Sequence, residues 1–269
     1  MARILEDGTL GDWVETTPLP TALYGLESLV LHGRIYILGG LDASGDSRSE
    51  VYYTTPDPDT GWISSWTPTT APMPRFAGVD RYFDSAATVQ GDRIYVYGGA
   101  SGVLPPVTFS PYVIFATPDP ATGDITQWSI SDEGLPQNLY AGEGAAYDSG
   151  LLLSIAGAWN NMSTPTGDVL ASLVYSDTGQ TGEWFYTIGM NPARFWHSVV
   201  MDEQGWLYSI GGTTGAYGDR LNDVRLVSPY PGGGGGRLRR ENLPLLAQTA
   251  AVSRTIYAPT GTFTSEPIN

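Results

Sequence analysis

Two segments, Arg34-Ile-Tyr-Ile-Leu-Gly-Gly40 and Arg93-Ile-Tyr-Val-Tyr-Gly-Gly99, are nearly identical and decide the fold of this chain. Each is a run of β-branched and aromatic residues that ends at a pair of glycines. Weaker copies end at Gly157, Gly212 and Gly261, so the five closing glycines are spaced by 59, 58, 55 and 49 residues. A repeat of this length is one supersecondary unit, which is too small to bury a core alone but can stack with its copies.

The second copy shows the internal structure of the repeat most clearly. Four segments rich in strand-forming residues predict strands near residues 85–89, 93–97, 112–116 and 125–128. Turn residues separate them, most densely in Pro118-Asp-Pro-Ala-Thr-Gly123. No segment has helical periodicity. Four antiparallel strands in a repeated unit are typical of a propeller blade.

The repeat fills the chain and predicts one all-β domain over residues 1–269, a five-bladed β-propeller of four-stranded antiparallel blades. The blades are predicted at approximately 20–66, 79–128, 139–184, 194–240 and 245–269. The last of them lacks a fourth strand, whereas the segment Glu6-Asp-Gly-Thr-Leu-Gly-Asp-Trp13 matches the outer turn and strand of the other copies. We therefore expect residues 1–13 to complete the last blade, which closes the ring and removes exposed sheet edges.

Charge and composition exclude several classes of partner and chemistry. The net charge is −15, and all 13 basic residues are Arg. Such a surface repels phosphate backbones and anionic lipids, so we expect neither a nucleic acid nor a membrane partner. The absence of Cys excludes disulfides and thiolate nucleophiles, and the absence of Lys excludes Schiff-base chemistry. The N-terminus lacks the apolar core of a signal peptide, and we expect a soluble monomer.

These features together resemble the kelch repeat. The resemblance rests on the pattern Arg-Ile-Tyr-Val-x-Gly-Gly, a following strand and a Trp before Leu-Pro, and it covers essentially the whole chain. The repeat is longer than the roughly 50 residues usual for kelch, and the third and fifth copies lack the double glycine. The longer unit is similar to the kelch-type repeats of bacterial proteins, which implies a bacterial protein, cytoplasmic or secreted. The resemblance implies a propeller but no single activity, because kelch proteins include adaptors, oxidases, epimerases and specifier proteins.

The segments that lead into the first strand of each blade are expected to open on the face around the central channel, where propellers usually bind ligands. An aromatic residue recurs in these segments at Tyr24, Tyr82, Tyr140 and Phe195, spaced by 58, 58 and 55 residues. This regular spacing favours a role in packing between blades.

The polar residues that follow these aromatics break the repeat. Blade 4 has His197, at a position where bacterial kelch repeats often carry Gly-His, and blade 2 has Asp84 instead. Glu27 and Glu143 lie one residue beyond the equivalent sites in blades 1 and 3. We expect the four side chains to converge on one channel mouth as catalytic candidates, because paired carboxylates suit acid–base chemistry. The competing interpretation is a solvated channel whose carboxylates pair with Arg.

Other side chains near the same face are candidates for ligand binding. The arginines are expected to hold a carboxylate in bidentate fashion. The aromatic and amide residues offer flat surfaces beside hydrogen-bonding groups, which suits sugars, peptides and apolar metabolites. These ligand-binding candidates are Arg81, Arg194, Trp196, Trp159, Asn160 and Tyr217.

Three functions remain open at this point. The sequence favours a module that binds a small molecule, glycan or peptide over the channel, since it has no recognised catalytic motif. The first alternative is an acid–base enzyme acting on a carbohydrate or metabolite as a hydrolase, lyase or isomerase. The second is a scaffold for protein partners, which predicts a large apolar patch. The sequence requires no cofactor and predicts no tight zinc site with only two His, although a calcium ion in the channel fits the mixed carboxylates.

Overall fold

The β-branched and aromatic runs of the repeat pair as antiparallel hairpins, and each hairpin begins one sheet in the computed structural model of the chain. The structure describes residues 1–5, 8–78, 80, 82–103, 106–147, 149–160, 162–202, 205–215 and 220–227. Within these residues the chain forms four antiparallel sheets, one for each of the first four repeats. The same residues include no helix that is long and apolar enough to cross a membrane.

Blades 1 and 2 each have four strands, and every strand pairs with the next one in sequence. Blade 1 contains β1 (Glu27–Leu31), β2 (Arg34–Leu38), β3 (Val51–Thr54) and β4 (Thr67–Pro68). Blade 2 contains β5 (Ala86–Gln90), β6 (Arg93–Tyr97), β7 (Val113–Ala116) and β8 (Ser129–Ile130). The order confirms the strand sequence expected for a propeller blade.

Blade 3 is larger than the first two blades. It contains β9 (Leu139–Tyr140), β10 (Glu143–Tyr147), β11 (Leu151–Trp159), β12 (Pro165–Leu173) and β13 (Phe185–Tyr186). β11 and β12 have nine residues each, and β9 pairs with the extended end of β11. Blade 4 contains β14 (Ser198–Met201), β15 (Leu207–Ile210) and β16 (Val224–Val227).

Neighbouring blades pack face to face through apolar layers, because the alternation of each strand gives its sheet two packing faces. Each interface is represented by one buried side chain from each blade: Leu38 and Ile94 between blades 1 and 2, Tyr95 and Leu152 between blades 2 and 3, and Leu153 and Leu207 between blades 3 and 4. A further layer around Tyr140 and Phe195 covers the ends of the first strands. The expectation of an all-β propeller is confirmed.

The outer strand of blade 2 lies later in the sequence than predicted. We expected it at residues 125–128, but it is formed by Ser129–Ile130. Ile125 and Trp128 instead turn inward and are buried between blades 1 and 2. The Trp128 indole N–H also donates to the carbonyl of Ala71 at 3.2 Å. The backbone therefore joins the sheet only after these two side chains have packed against the neighbouring blade.

The predicted fifth blade, residues 245–269, lies outside the described residues. The four described sheets include three strands of blade 4, and residues 228–269 are not described. Among the described N-terminal residues, the Met1 ammonium donates to the carbonyl of Val14 at 2.7 Å, and Ile4 forms a bridge with Leu10. The expected partner of this segment falls in the part that is not described. Four blades are therefore established, and a count of five stays a prediction.

Candidate functional site

Four residues with left-handed backbone conformation form a belt just before the first strands of the four blades. They are Gly25, Asp84, Ala141 and Trp196, with φ of 60°, 46°, 52° and 52°. Backbone hydrogen bonds join each to the next: the N–H groups of Asp84, Ala141 and Trp196 donate to the carbonyls of Gly25, Asp84 and Ala141 at 2.9, 2.8 and 3.3 Å. We call these four residues the belt. Because the first strands of a propeller surround the channel, the belt lies at the channel mouth.

The belt corrects the sequence alignment of blade 2 by one residue. The residue before each belt position is Tyr24, Phe83, Tyr140 or Phe195, and each pairs with the end of the second strand of its blade or with the loop that follows it. The spacing of the aromatics in the sequence predicts Tyr82 in this series, but the residue at this position is Phe83. Tyr82 is buried between blades 1 and 2. Because Tyr82 and Phe83 are adjacent aromatic residues, the sequence alone does not decide which of them is equivalent to Tyr24. The backbone pairing of Phe83 with Ala100 decides it.

Asp84 and Trp196 are joined across the channel mouth. The Trp196 indole N–H donates to Asp84 Oδ2 at 2.7 Å, although the two residues are 112 positions apart. The indole ring also meets Phe195 and Tyr140 edge to face, with centroids 4.6 and 6.3 Å apart. Half of the Trp196 surface is exposed. Blades 2 and 4 thus meet at this face through one charge-assisted hydrogen bond.

Glu27 and Glu143 lie within electrostatic range of Asp84. Both begin the first strand of their blade, two residues after the belt, where they pair with Leu38 and Ile155. Their side chains are half-buried. The charges of Glu143 and Asp84 both raise the pKa of Glu27, so the three carboxyl groups share one electrostatic environment. We call Glu27, Asp84 and Glu143 the carboxyl cluster.

Burial, and for Glu27 and Glu143 the charges of neighbouring carboxylates, raise the pKa values of the carboxyl cluster. Burial and the charges of its two neighbours raise the pKa of Glu27 well above its usual value. Burial, followed by the charge of Asp84, raises the pKa of Glu143 to about 7. Burial also raises the pKa of Asp84, but the hydrogen bond from Trp196 and the Tyr140 hydroxyl beside it act in the opposite direction. Asp84 is therefore the member best suited to carry the negative charge.

None of the ion pairs between described residues neutralises the carboxyl cluster. The arginines in those pairs bind other carboxylates: Arg48 with Asp42, Arg75 with Asp80, and Arg194 and Arg225 with Asp223. The described residues also contain no group of three His, Asp or Glu that is close enough to hold a metal ion. The calcium ion that the sequence left open thus has no ready-made ligand set among them.

Arg194 and His197 occupy the interior of blade 4. The Arg194 guanidinium is fully buried and donates to both carboxylate oxygens of Asp223, at 2.8 and 3.1 Å, and to the carbonyl of Gly211. The carboxylate that Arg194 binds in bidentate fashion therefore belongs to a residue of the same blade. His197 is 3% exposed, and neither ring nitrogen has a hydrogen-bond partner. Burial, with the charge of Arg194, lowers the pKa of His197 to about 4, so the imidazole is neutral at pH 7.

The remaining ligand-binding candidates are separate from the carboxyl cluster in their contacts or lie outside the described residues. The Trp159 indole N–H donates to Asp168 at 2.7 Å across the β11–β12 hairpin. Asn160 exchanges backbone and side-chain hydrogen bonds with Asn138. Arg81 and Tyr217 are not among the described residues. The cluster is therefore built from Glu27, Asp84 and Glu143 with Trp196 against it.

Two tyrosines belong to the site although the sequence analysis assigned them only a packing role. The Tyr140 hydroxyl lies beside Asp84, and burial, followed by the charge of Asp84, raises the pKa of this phenol. Tyr24 is 53% exposed and meets Phe83 edge to face at 5.7 Å. Their regular spacing was a signal of position but carried no information about which way each ring points.

Comparisons with known proteins support the repeat and the fold. No family model matches the chain. The kelch-like protein terF of Aspergillus terreus is 40% identical over 96 residues, which are 33% of this chain and 18% of that protein. The chain thus spans less than a fifth of that fungal relative. The solved structure of YjhT matches with a TM-score of 0.60 at 15% identity, over 86% of this chain and 77% of that one.

Proposed function

This chain is a kelch-repeat β-propeller, and we propose that it is a binding module that holds a small ligand, preferably a glycan, over the channel mouth. The ligand lies against the Trp196 indole, with the carboxyl cluster as its polar partner. Sugars bind in this way because their apolar faces stack on aromatic rings while their hydroxyl groups bond to carboxylates. The protein acts as a monomer in this proposal.

The observation that carries the proposal is the hydrogen bond between Trp196 and Asp84. A half-exposed indole on a surface usually has free rotamers, which a ligand must order at a cost in entropy. Here the indole is fixed by the carboxylate of another blade and by the rings of Phe195 and Tyr140. The aromatic surface is thus already positioned beside acceptors before a ligand arrives.

Glycan-array screening followed by calorimetry tests the proposal. We expect Trp196→Ala to weaken binding of any glycan found by about fivefold or more, since a lost aromatic contact removes on the order of 1 kcal/mol. Trp62→Ala is the matched control, because Trp62 is 44% exposed on the outer part of blade 1. Equal binding by Trp196→Ala and the parent protein, or no glycan bound at all, would contradict the proposal.

A second candidate function, an acid–base enzyme, is favoured by one observation. Glu143 has a pKa of about 7 beside Asp84, which is the better carrier of negative charge. A carboxyl group that is protonated near neutral pH, next to an ionised one, is suited to act as a general acid. This function requires turnover, whereas the binding module does not.

Turnover of the glycan that binds is the measurement that separates the two functions. An enzyme would lose its rate in Glu143→Gln while its affinity for substrate changed little, because Gln keeps the shape but cannot transfer the proton. The rate of the parent protein would fall as the pH rises through about 7. If the parent protein turns over the glycan no faster than the Glu143→Gln variant does, the binding module remains the proposed function.

The proposal includes the fifth blade. The described face of blade 4 that is turned away from blade 3 is apolar and exposed: Val200, Ile210, Val224 and Leu226. Val30 on blade 1 is 67% exposed as well. A sheet face of this kind requires a covering layer. We assign the covering layer to residues 228–269 together with the N-terminal strand, rather than to a partner protein.

A further inference from the structure

The charge of the channel mouth indicates what kind of ligand it takes, and this inference rests on the proposed function. Three carboxyl groups lie within electrostatic range of one another there, and none of the described Arg or His side chains pairs with them. Arg194, which the sequence offered as a partner for a carboxylate, is committed to Asp223. Unpaired acids in a partly buried site are costly, and a cation relieves that cost.

The aromatic surfaces at the mouth favour a cation too. Trp196 and Tyr24 are both about half exposed, at 50% and 53%. The negative face of an aromatic ring attracts an ammonium group, and Trp does so most strongly. Trp196 uses its positive edge, the indole N–H, to bind Asp84. The N–H edge of Trp196 is therefore occupied by the Asp84 carboxylate, while the negative face of the indole adds to the negative potential of the site.

A buried hydroxyl group at the site lacks a hydrogen bond of good geometry. Tyr140 is fully buried, and its oxygen is without such a partner although it lies beside Asp84. Buried hydroxyl groups are nearly always hydrogen-bonded, to protein, water or ligand. Tyr140 belongs to β9 and meets Trp196 edge to face at 6.3 Å. Its hydroxyl oxygen can accept one N–H of a group bound beside Trp196 and Asp84.

We propose that the channel mouth binds the primary ammonium group of an amino sugar. The ammonium donates to the carboxylate of Asp84 and to the Tyr140 hydroxyl and lies against Trp196, while the carboxyl groups of Glu27 and Glu143 supply further acceptor oxygens. Its three N–H donors match this set of acceptors, whereas a carboxylate ligand would be repelled by the charge of Asp84. The glycan of the proposed function is therefore one with free amino groups.

Two trisaccharides of the same linkage and length test the inference. One is the β-1,4-linked trimer of glucosamine, and the other is the same trimer with every amino group acetylated. Calorimetry at pH 6.5 should give at least tenfold tighter binding of the glucosamine trimer, and raising the salt concentration should weaken it. Tight binding of the acetylated trimer alone, or equal affinity for both, would overturn the amino-sugar inference and leave the binding module intact. No binding of either trimer would overturn the inference, while glycan-array binding of other sugars still decides the proposed function.

A pair of Asp→Asn variants separates local recognition from long-range attraction to an acidic protein. Asp84→Asn keeps an oxygen that can accept from Trp196 but loses the charge, and we expect at least a tenfold loss of affinity for the glucosamine trimer. Asp59→Asn removes the same charge from an exposed position on the outer turn of blade 1 and should leave affinity within twofold. Equal losses in the two variants would show attraction to the net charge of −15 alone and would overturn the proposed site.

Discussion

Gly25 shows how one residue without a side chain makes room for a functional one. A Cβ at this position would lie 2.7 Å from Asp84 Oδ1 and would also collide with the Phe83 ring. Its φ of +60° is unfavourable for other residues as well. The Asp84 carboxylate thus lies directly over a glycine of the neighbouring blade. The left-handed backbone at Gly25, together with the space left by its missing side chain, lets the Asp84 carboxylate lie where it contacts Trp196.

Gly25→Ala is expected to lower stability and to displace Asp84. Gly91→Ala is the matched control, because Gly91 has a φ of +59° and nothing within 4 Å of the added Cβ. The control measures the cost of the backbone conformation alone, about 1 kcal/mol. We expect Gly25→Ala to cost about 1–3 kcal/mol more in urea unfolding, and the intrinsic tryptophan fluorescence of the folded protein to change in this variant only. Equal losses in the two variants would contradict the packing of Asp84 over Gly25.

The carboxyl cluster makes stability depend on pH in a defined direction. The pKa of Glu143 is about 7 in the folded protein and near 4.5 without the fold. The folded state thus holds a proton that the unfolded state releases, so this contribution is present below pH 4.5 and is lost as the pH rises to about 7. Glu27 and Asp84 shift in the same direction, whereas the lowered pKa of His197 acts in the opposite one.

Glu143→Gln isolates the contribution of this side chain. We expect the variant to be more stable than the parent protein at pH 7.5 and to lose less stability between pH 4.5 and 7, because its amide does not ionise. Glu15→Gln, at an exposed position, serves as the control for the loss of one charge. Thermal unfolding across this pH range is the measurement. A variant with the pH profile of the parent protein would show that Glu143 is not buried in this environment.

Sequence reasoning located the charged members of the site but not their mutual contacts. Glu27, Asp84 and Glu143 could be found because they interrupt a repeat at the start of a strand. The pairing of Asp84 with Trp196 could not, because two residues 112 positions apart meet only when blades 2 and 4 are placed around a common channel. The misplacement of Tyr82 has a similar cause, since the left-handed backbone at Asp84 sets the register and has no signature in the residue type.

At the scale of elements, the repeated Arg-Ile-Tyr of the second strand acts as a latch between blades. Arg34, at the start of β2, donates to the carbonyls of Pro120 and Ala121 at 3.2 and 2.6 Å, and the Tyr36 hydroxyl donates to Gly123 at 2.9 Å. These three acceptors lie in the outer turn of blade 2. The Asp119 carboxylate holds this outer turn in shape, because it accepts hydrogen bonds from the backbone N–H groups of Ala121 and Thr122.

The latch recurs between blades 2 and 3 with the same residue types. Arg93 donates to the carbonyl of Ser176 at 3.1 Å, and the Tyr95 hydroxyl donates to Gly179 at 2.9 Å. Gly179 has a φ of +81°, and a Cβ there would approach the Arg93 Nε to 2.8 Å. The Arg, the Tyr and the turn glycine therefore repeat together because each blade holds the outer turn of the next. In the sequence this motif predicts strands but gives no sign of its contacts with the next blade.

Tyr95→Phe tests the latch with the removal of one atom. Tyr95 is fully buried, so the loss of its hydroxyl leaves the Gly179 carbonyl without that donor. We expect a loss of about 1–1.5 kcal/mol in the free energy of unfolding. Tyr186→Phe, on a side chain that is half exposed, should change it by less than about 0.5 kcal/mol. Equal effects in urea denaturation would mean that the contact between blades 2 and 3 does not depend on this hydrogen bond.

The elements were predictable to the extent that local sequence decides them. The first and second strands of blades 1 and 2 lie where β-branched residues and glycine turns place them. The outer strand of blade 2 was misplaced because Ile125 and Trp128 look like strand residues but are used for packing between blades. The nine-residue strands of blade 3 were also missed, since their outer ends continue past an irregularity after Ile155 by pairing with each other, and β11 also pairs there with β9.

For the whole molecule, the decisive comparison is between equivalent faces of blades 2 and 4. Val113 on β7 pairs with Tyr97, as Val224 on β16 pairs with Ile210. Val113 is 0% exposed because blade 3 covers it, whereas Val224 is 57% exposed within the described residues. The same sequence pattern thus forms a face that is buried in one blade and open in another. A fifth blade from residues 228–269 and the N-terminal strand would bury this face and complete the ring.

Three Val→Ser variants decide whether the face of blade 4 is covered in solution. Val113→Ser should cost about 2–4 kcal/mol because it removes apolar contacts from a buried site, and Val103→Ser, at a position that is 41% exposed, should cost less than about 0.5 kcal/mol. If the fifth blade packs on β16, Val224→Ser will resemble Val113→Ser, with a loss of about 2 kcal/mol or more in urea unfolding. A loss as small as that of Val103→Ser would show an open face and a propeller that is not closed by its own chain.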